Sequence, residues 1–575
     1  MSQAFTRPSV VATLLAAMLL LVIGWEIHYF LTDDAYIAFR YILNRRQGYG
    51  YTWNAPPFLP VEGYTSFMWV VLLDAIWSML DIGPERASCA LSLIFSCGSL
   101  LLGSALVFHS LPSHARSREF SAYLPVYALC LVSNRTFLMW TSSGLETALF
   151  NFLVLVWFAS LVLHGTYRRR WILMASLAAA LLYLTRPDGL LFAAATIGAV
   201  ALHWLADPPA SRASKVQRLG QTLSLLALPA HLAFRYTTYG ELLPNTYYAK
   251  YSQPWPESGL HYLTSFVLEY GLWLIPLPAL VVLGWLAYRS RTDGDPGLQR
   301  VLGRLSAIAG ETAPRRQAAV LLWAVPFATL LAHLAYYTIL IGGDHFEYRV
   351  YSHLAPLLPL ALIWSLSRLR VRVLPAISMV GAFALAAAVF PWTQWMLARD
   401  RLSREETHEL HIPLAPFFPE PLKSYAALLD EHRSWLVDHY VGLRHQEHKV
   451  FCEMMLTHYA PSLREHAALL PAMKNPVLVA RSVGVAGWTL PEFHVIDTAG
   501  LNDYVVARLP TPEGGVRLMA HERLAPPQYW LGFDPTLIFL ERVEIRPRPH
   551  PLTDARIREL EARYRAALPE PRRDP

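Results

Sequence analysis

The sequence predicts a mostly α-helical, polytopic transmembrane bundle followed by a C-terminal extracytoplasmic α/β domain, and three observations carry this. Of 575 residues, 54% are hydrophobic and only 16% charged, a balance too apolar for an ordinary soluble chain. The apolar residues stand in long blocks rather than in alternation as far as Trp392. From Thr393 onward apolar runs shorten, Pro and charge rise, and nothing is long enough to span a bilayer. The expected domains are therefore 1–392 and 393–575, with a first external loop at 32–86.

About eleven segments approach the roughly 17–25 residues that a crossing needs. They are Val10–Leu31, Ala87–Phe108, Phe120–Trp140, Ala148–Leu163, Trp171–Leu184, Leu190–Leu205, Leu219–Phe234, Tyr270–Tyr288, Ala318–Ile341, His353–Leu366 and Val373–Trp392. No small-residue cleavage site follows the first run, so it reads as a retained anchor. With the N-terminus inside, Arg116/Arg118, Arg168–Arg170, Arg212/Lys215/Arg218, the stretch Arg289 to Arg316 and Arg368–Arg372 all fall in cytoplasmic loops, as the positive-inside rule requires. This register demands that Ser66–Leu80 stay on the outer side; it is short and interrupted by Asp74, which suits an interfacial helix. The net charge of +6 is explained by the same basic loops, without nucleic acid. Cys89, Cys97 and Cys130 lie in apolar runs and only Cys452 in the polar part, so no disulfide framework or cysteine metal site can be assembled.

The loops on the opposite face hold every polar motif too elaborate for a connector. They are Asp33–Asp34 with Val61-Glu62-Gly63-Tyr64-Thr65, then Ser143-Gly144-Leu145-Glu146-Thr147, Thr185-Arg186-Pro187-Asp188-Gly189, Pro244-Asn245-Thr246-Tyr247-Tyr248, and Gly342-Gly343-Asp344-His345-Phe346 running on to Arg349. Adjacent carboxylates at the lip of a membrane helix are costly and serve no packing purpose, so Asp33 and Asp34 mark a functional site. This ordered set, from Thr32 to Arg349, resembles the bacterial polyprenyl-phosphate-sugar-dependent glycosyltransferases of the GT-C fold, in particular the terminal arabinofuranosyltransferases of cell envelopes. The resemblance implies a catalytic aspartate in the first external loop and a sugar donor on a polyprenyl phosphate. It also implies a multi-pass protein of the bacterial cytoplasmic membrane, with its active site outside, and a glycan, lipopolysaccharide or pilin acceptor.

The residue types fit that chemistry on their own terms. Moving a sugar from a lipid phosphate to a hydroxyl needs a base, stabilisation of an oxocarbenium-like centre, and cations for the departing phosphate. Asp33 or Asp34 is the expected base, its neighbour's charge raising its pKa. Arg40, Lys250, His345 and Arg349 are the expected phosphate-binding cations. The resemblance implies Glu62, Tyr64, Glu146 and Asp344 as substrate-facing wall, and Asn245 and Tyr247 of the fourth motif are expected beside them. Asp344, His345 and Glu347 read as a hydrogen-bonded turn rather than a metal site, so no metal is expected. Thr185–Gly189 reads as a structural turn with Arg186 snorkelling. Glu146 has two equal readings, cavity wall or a cap paired with Ser143.

In the C-terminal domain, His408–Arg444 reads as helix, Lys474–Ser482, Phe493–Thr498 and Val516–Met519 as strands, Asp554–Ala567 as a last helix and Pro569–Pro575 as a frayed tail. Gly484 to Gly487 reads as a glycine turn without a dinucleotide fingerprint. The chain is thus expected to be a membrane glycosyltransferase, with arabinofuranose as the sugar. The rival classes are a transporter or flippase of lipid-linked sugars, which places ionisable residues at the midplane of paired repeats, and a sugar-binding scaffold without turnover.

Overall fold

The computed structural model describes residues 2–113, 116–164, 170–209, 211–250, 253–277, 280, 281, 284, 288, 314–408, 412, 419–511, 516–520, 522–548 and 550–568. Among these, six stretches are long and apolar enough to cross a bilayer: Pro8–Ile27, Pro84–Ser110, Gly189–Ala206, Leu321–Ile341, Arg349–Arg368 and Val373–Ala398. Two shorter apolar helices, Thr147–Val162 and Trp171–Thr185, pack side by side in the bundle. The expected crossing Tyr270–Tyr288 and the basic stretch Arg289 to Arg316 lie largely outside the described residues, as do residues 165–169, 413–418 and the tail from 569.

The helices are numbered here in chain order: α1 Pro8–Ile27, α2 Asp33–Arg46, α3 Phe67–Leu80, α4 Pro84–Ser110, α5 Arg116–Val132, α6 Arg135–Met139, α7 Thr147–Val162, α8 Trp171–Thr185, α9 Gly189–Ala206, α10 Ala227–Tyr239, α11 Asn245–Lys250, α12 Pro256–Glu269 and α13 Pro314–Ala335. Two predicted crossings are broken for local reasons. Phe120–Trp140 divides into α5 and α6 because the Asn134 side chain accepts the Phe137 N–H at 2.8 Å, capping a new helix where a continuous one was expected. Leu219–Phe234 becomes a 3₁₀ turn, Leu223–Leu226, leading into α10, which ends at Gly240 in the left-handed region at φ 74°.

Helix α3 is a 14-residue helix tied at both ends to residues of the other motifs and domains. Near its start, the Trp69 indole donates to the Gly144 carbonyl at 2.9 Å. Near its end, Trp77 meets Trp488 of the C-terminal domain, with ring centroids 6.1 Å apart. Its interrupting Asp74 is buried, where it accepts from Tyr51 at 2.6 Å and pairs with Arg45 at 3.2 Å. Asp74 thus ties α3 to α2 and to the loop that follows α2.

In the C-terminal domain, helices α14 Glu420–Asp438, α15 His445–Met454 and α16 Ala460–Ala468 precede a four-stranded sheet of order β2-β1-β3-β4. Strand β1 (Val477–Ala480) is parallel to β2 (His494–Asp497) and β3 (Leu537–Phe539), while β4 (Val543–Ile545) runs antiparallel to β3. All four β1 residues are buried, which is why an unbroken apolar run sits at the middle of the sheet. A six-residue helix, α17 (Gly484–Thr489), follows β1, and α18 (Asp554–Ala566) ends the described chain. The expected strand Val516–Met519 does not form. Its polar groups serve other contacts, the Met519 N–H donating to His439 O at 2.9 Å and Arg517 to Gln253 O at 2.6 Å.

Candidate active site

A cavity of about 560 Å³ opens where the polar ends of the helices gather under the C-terminal domain. Its wall collects residues from all five polar motifs: Asp34, Tyr64, Glu146, Arg186 and Asp188, Tyr247 and Lys250, and Asp344, His345 and Arg349. One flank is apolar, built by Leu190, Leu228, Leu232, Tyr336, Leu340 and Ile341. Leu190 is 54% exposed and Leu340 43%, on helices that are long and apolar enough to sit in lipid. The space therefore joins a charged chamber to an apolar side opening.

The two adjacent aspartates have different situations. Thr32 caps α2, its Oγ1 accepting the Ala35 N–H at 3.3 Å, so both acids occupy the first turn, where exposed N–H groups favour negative charge. Asp33 faces the C-terminal domain and accepts the N–H groups of Gly484 at 3.1 Å and Val485 at 2.8 Å. Burial pushes its carboxyl up, the two N–H donors pull it back, Asp34's charge raises it again, and it settles at about 6. Asp34 points to the cavity instead and forms no hydrogen bond or ion pair among the described residues.

Most other charges on the wall are neutralised by partners. Arg186 Nη1 donates to Glu146 at 2.9 Å, its Nε to Asp188 at 3.1 Å and its Nη2 to the Tyr337 hydroxyl at 2.8 Å. Asp188 also accepts from Tyr337 and from His333 Nε2, each at 2.9 Å. Burial alone would raise the Asp188 carboxyl, but Arg186 and His333 outweigh it and hold it well below the usual carboxylate range. Arg349 chelates Asp344 at 2.7 and 3.3 Å and lies over the Phe346 ring at 4.5 Å. Arg235 pairs with Glu62 at 2.8 Å, and Arg517 with Glu522 at 2.9 Å. Lys250, by contrast, forms no hydrogen bond or ion pair among the described residues and lies exposed on the wall.

Several expected site residues stand elsewhere. Arg40 is not on the wall; its guanidinium is 1% exposed and donates to the carbonyls of Trp53, Gly487, Leu490 and Phe493. Four of its five N–H donors go to backbone carbonyls, and the buried group does not reach the cavity where a phosphate would sit. Asn245 is likewise turned away, its amide donating to Gly500 O at 2.9 Å and to Leu501 O and Asp503 O at 3.0 Å. Glu62 lies behind Arg235, the member of the pair that reaches the cavity. Tyr64 lines the space with its hydroxyl 3.2 Å from that of Tyr239, and Tyr247 lines it 44% exposed. His345 is on the wall, its Nδ1 2.9 Å from Tyr440 O. Glu146 accepts no capping bond at α7 and serves the Arg186 pair instead.

Arg186, Asp188 and Tyr337 were not expected in the site. A signal existed for the first two, an arginine and an aspartate either side of Pro187 at a helix end; Tyr337 was concealed in an apolar run. It is exposed to the site by a π-helical turn, Tyr336–Ile341, that closes α13. Arg517 and Glu522 come from the C-terminal domain, and nothing local announces them. No group of three or more His, Cys, Asp or Glu side chains converges among the described residues.

No family model and no curated protein matches the sequence. Among solved structures, the chain is similar to apo ArnT from Cupriavidus metallidurans, with TM-score 0.47 and 14% identity over 86% of this chain and 87% of that one. The undecaprenyl-phosphate-bound form of the same protein gives TM-score 0.45 and 13% identity over the same shares. The Archaeoglobus fulgidus oligosaccharyltransferase tethered to an acceptor peptide gives TM-score 0.39 and 12% identity, over 86% of this chain and 64% of that chain.

Proposed function

We propose that this chain is an integral membrane glycosyltransferase of the GT-C type, taking a sugar from a polyprenyl phosphate and adding it to an acceptor outside the bacterial cytoplasmic membrane. The observation that supports it most is Asp34, a carboxylate with no hydrogen bond or ion pair among the described residues, on the wall of a cavity that is charged within and apolar at its flank. An amphiphilic donor matches that division. The prenyl chain would lie against Leu190, Leu232 and Leu340, and the phosphate against Lys250 and Arg349.

In the reaction, Asp34 accepts the proton of the acceptor hydroxyl as that oxygen bonds to the anomeric carbon. The bond from that carbon to the phosphate oxygen breaks, and the phosphate leaves with the electron pair. Lys250 and Arg349 stabilise the charge that develops on it. Arg349 is already held in place by Asp344, so it need not be ordered by the substrate. Arabinofuranose as the sugar, and a glycan, lipopolysaccharide or pilin as the acceptor, follow from the motif resemblance.

The test uses the purified protein in liposomes with radiolabelled undecaprenyl-phosphate arabinofuranose and envelope glycan as acceptor. Asp34→Asn is expected to lower transfer by about 10²- to 10⁴-fold, the range for loss of a positioned base. Wild-type transfer by Asp34→Asn and Asp34→Ala would remove the assignment.

A further inference from the structure

The C-terminal domain grips the two loops that carry the unpaired cavity charges. On the Asp34 side, Asp33 accepts from Gly484 and Val485, and an added Cβ at Gly484 would lie 1.9 Å from the Asp33 carbonyl oxygen. The contact is therefore close at the backbone itself. Trp488 packs on Tyr36 and Phe39 of α2, and the Trp53 indole donates to Val495 O at 3.0 Å. On the Lys250 side, Arg508 Nη2 donates to Glu241 at 3.0 Å and Nη1 to Asn245 Oδ1 at 2.9 Å. Its guanidinium lies 3.9 Å from the Tyr248 ring centroid and 3.5 Å from that of Tyr504. Arg523 adds a bond to Ala249 O at 2.6 Å, next in sequence to Lys250.

We infer that Asp33 and Arg508 are positioning residues, through which the C-terminal domain fixes the separation of the base Asp34 from the phosphate cation Lys250. Each acts on a different half of the reaction. Asp33 neighbours the base, and its bonds to the sheet-following turn set the direction of the first turn of α2. Arg508 holds α11, the six-residue helix on which Lys250 is the last residue. Without such a tie, an exposed lysine at a short helix end would sample many rotamers, and ordering it on the phosphate would cost binding.

This inference rests on the reading of Asp34 and Lys250 given above, and its signature is a split that general loosening would not produce. Farnesyl phosphate, a soluble prenyl phosphate without sugar, is titrated into the full-length protein in detergent, and transfer is measured in parallel. Arg508→Ala and Lys250→Ala are each expected to weaken farnesyl phosphate binding about tenfold and to raise KM for the donor. Asp33→Asn is expected to keep that binding and to lower kcat by about tenfold. Thermal unfolding of every variant is followed alongside. Binding unchanged in Arg508→Ala, or equal losses of binding and kcat in both variants, overturns the inference whatever Asp34→Asn does. Inert Asp34→Asn together with unaltered Asp33→Asn and Arg508→Ala would leave the proposed function standing and remove only this one.

Discussion

Two clusters of arginine and carboxylate lie near each other at the same end of the bundle, and they differ in one respect. Behind the cavity, Glu347 accepts from Arg135 at 2.7 Å and from Arg444, which also donates to Glu269 at 2.7 and 2.9 Å. Arg135 further donates to Gln394 at 2.7 Å, and Tyr348 to Glu269 at 2.8 Å. Burial would raise the Glu347 carboxyl, but Arg135 and Arg444 hold it well below its ordinary range. In this cluster both carboxylates are engaged by arginines, and it joins α6, α12 and the Glu347 loop to the C-terminal domain. On the cavity wall the arginines are also paired, yet Asp34 and Lys250 form no hydrogen bond or ion pair among the described residues. Charge density alone therefore does not separate a structural site from a chemical one. What separates them is whether every carboxylate is engaged by an arginine, as Glu347 and Glu269 are.

The largest expected effect lies in the cluster behind the cavity. Glu347→Ala leaves two guanidiniums buried without their shared acceptor, and should cost about 3–5 kcal/mol of stability, read as a large fall in detergent melting temperature or as failure to accumulate. A melting temperature within a degree of wild type would show that the network is not structural.

An intermediate effect is expected at Asp33, which belongs to neither extreme. Its folded pKa of about 6 is above the ordinary 3.8, so the native state binds the extra proton between these values. The stability it contributes is full below about pH 4 and lost as pH rises through 6. The melting temperature of wild type minus that of Asp33→Asn should therefore rise as pH falls from 7 to 4, by at most about 3 kcal/mol in free-energy terms. A flat difference over that range breaks the reading.

The smallest effect sharpens the contrast. Asp34→Asn removes a charge without a partner, so stability should change by less than about 0.5 kcal/mol while transfer collapses. A loss of several degrees in melting temperature would place Asp34 with the structural acids instead.

The positions of the polar motifs were legible because they interrupt apolar blocks. Burial in lipid forbids such residues without reason, and Asp34, Lys250, Asp344 and Arg349 all meet at one cavity. The shortness of α3 was equally legible, from the limits of its apolar run. Arg40 and Asn245 were misread because a polar side chain near a motif looks the same in sequence whether it faces a substrate or a carbonyl. Apart from Trp53 for Arg40, the carbonyls they bind lie more than 250 residues away, at Gly487 to Phe493 and at Gly500 to Asp503. The division between Asp33 and Asp34 was hidden for the same reason.

Hydrophobicity and charge, summed along the chain, determined by themselves that this is a helical membrane bundle with its polar motifs at one end and a smaller α/β domain behind it. These properties are local, and a bilayer reads them segment by segment. Which carboxylate is engaged and which is left unpaired was decided only by the tertiary structure. Successive residues on a helix point about 100° apart, so adjacent aspartates meet different neighbours, and only the docking of the C-terminal domain supplies the partner that one receives and the other does not.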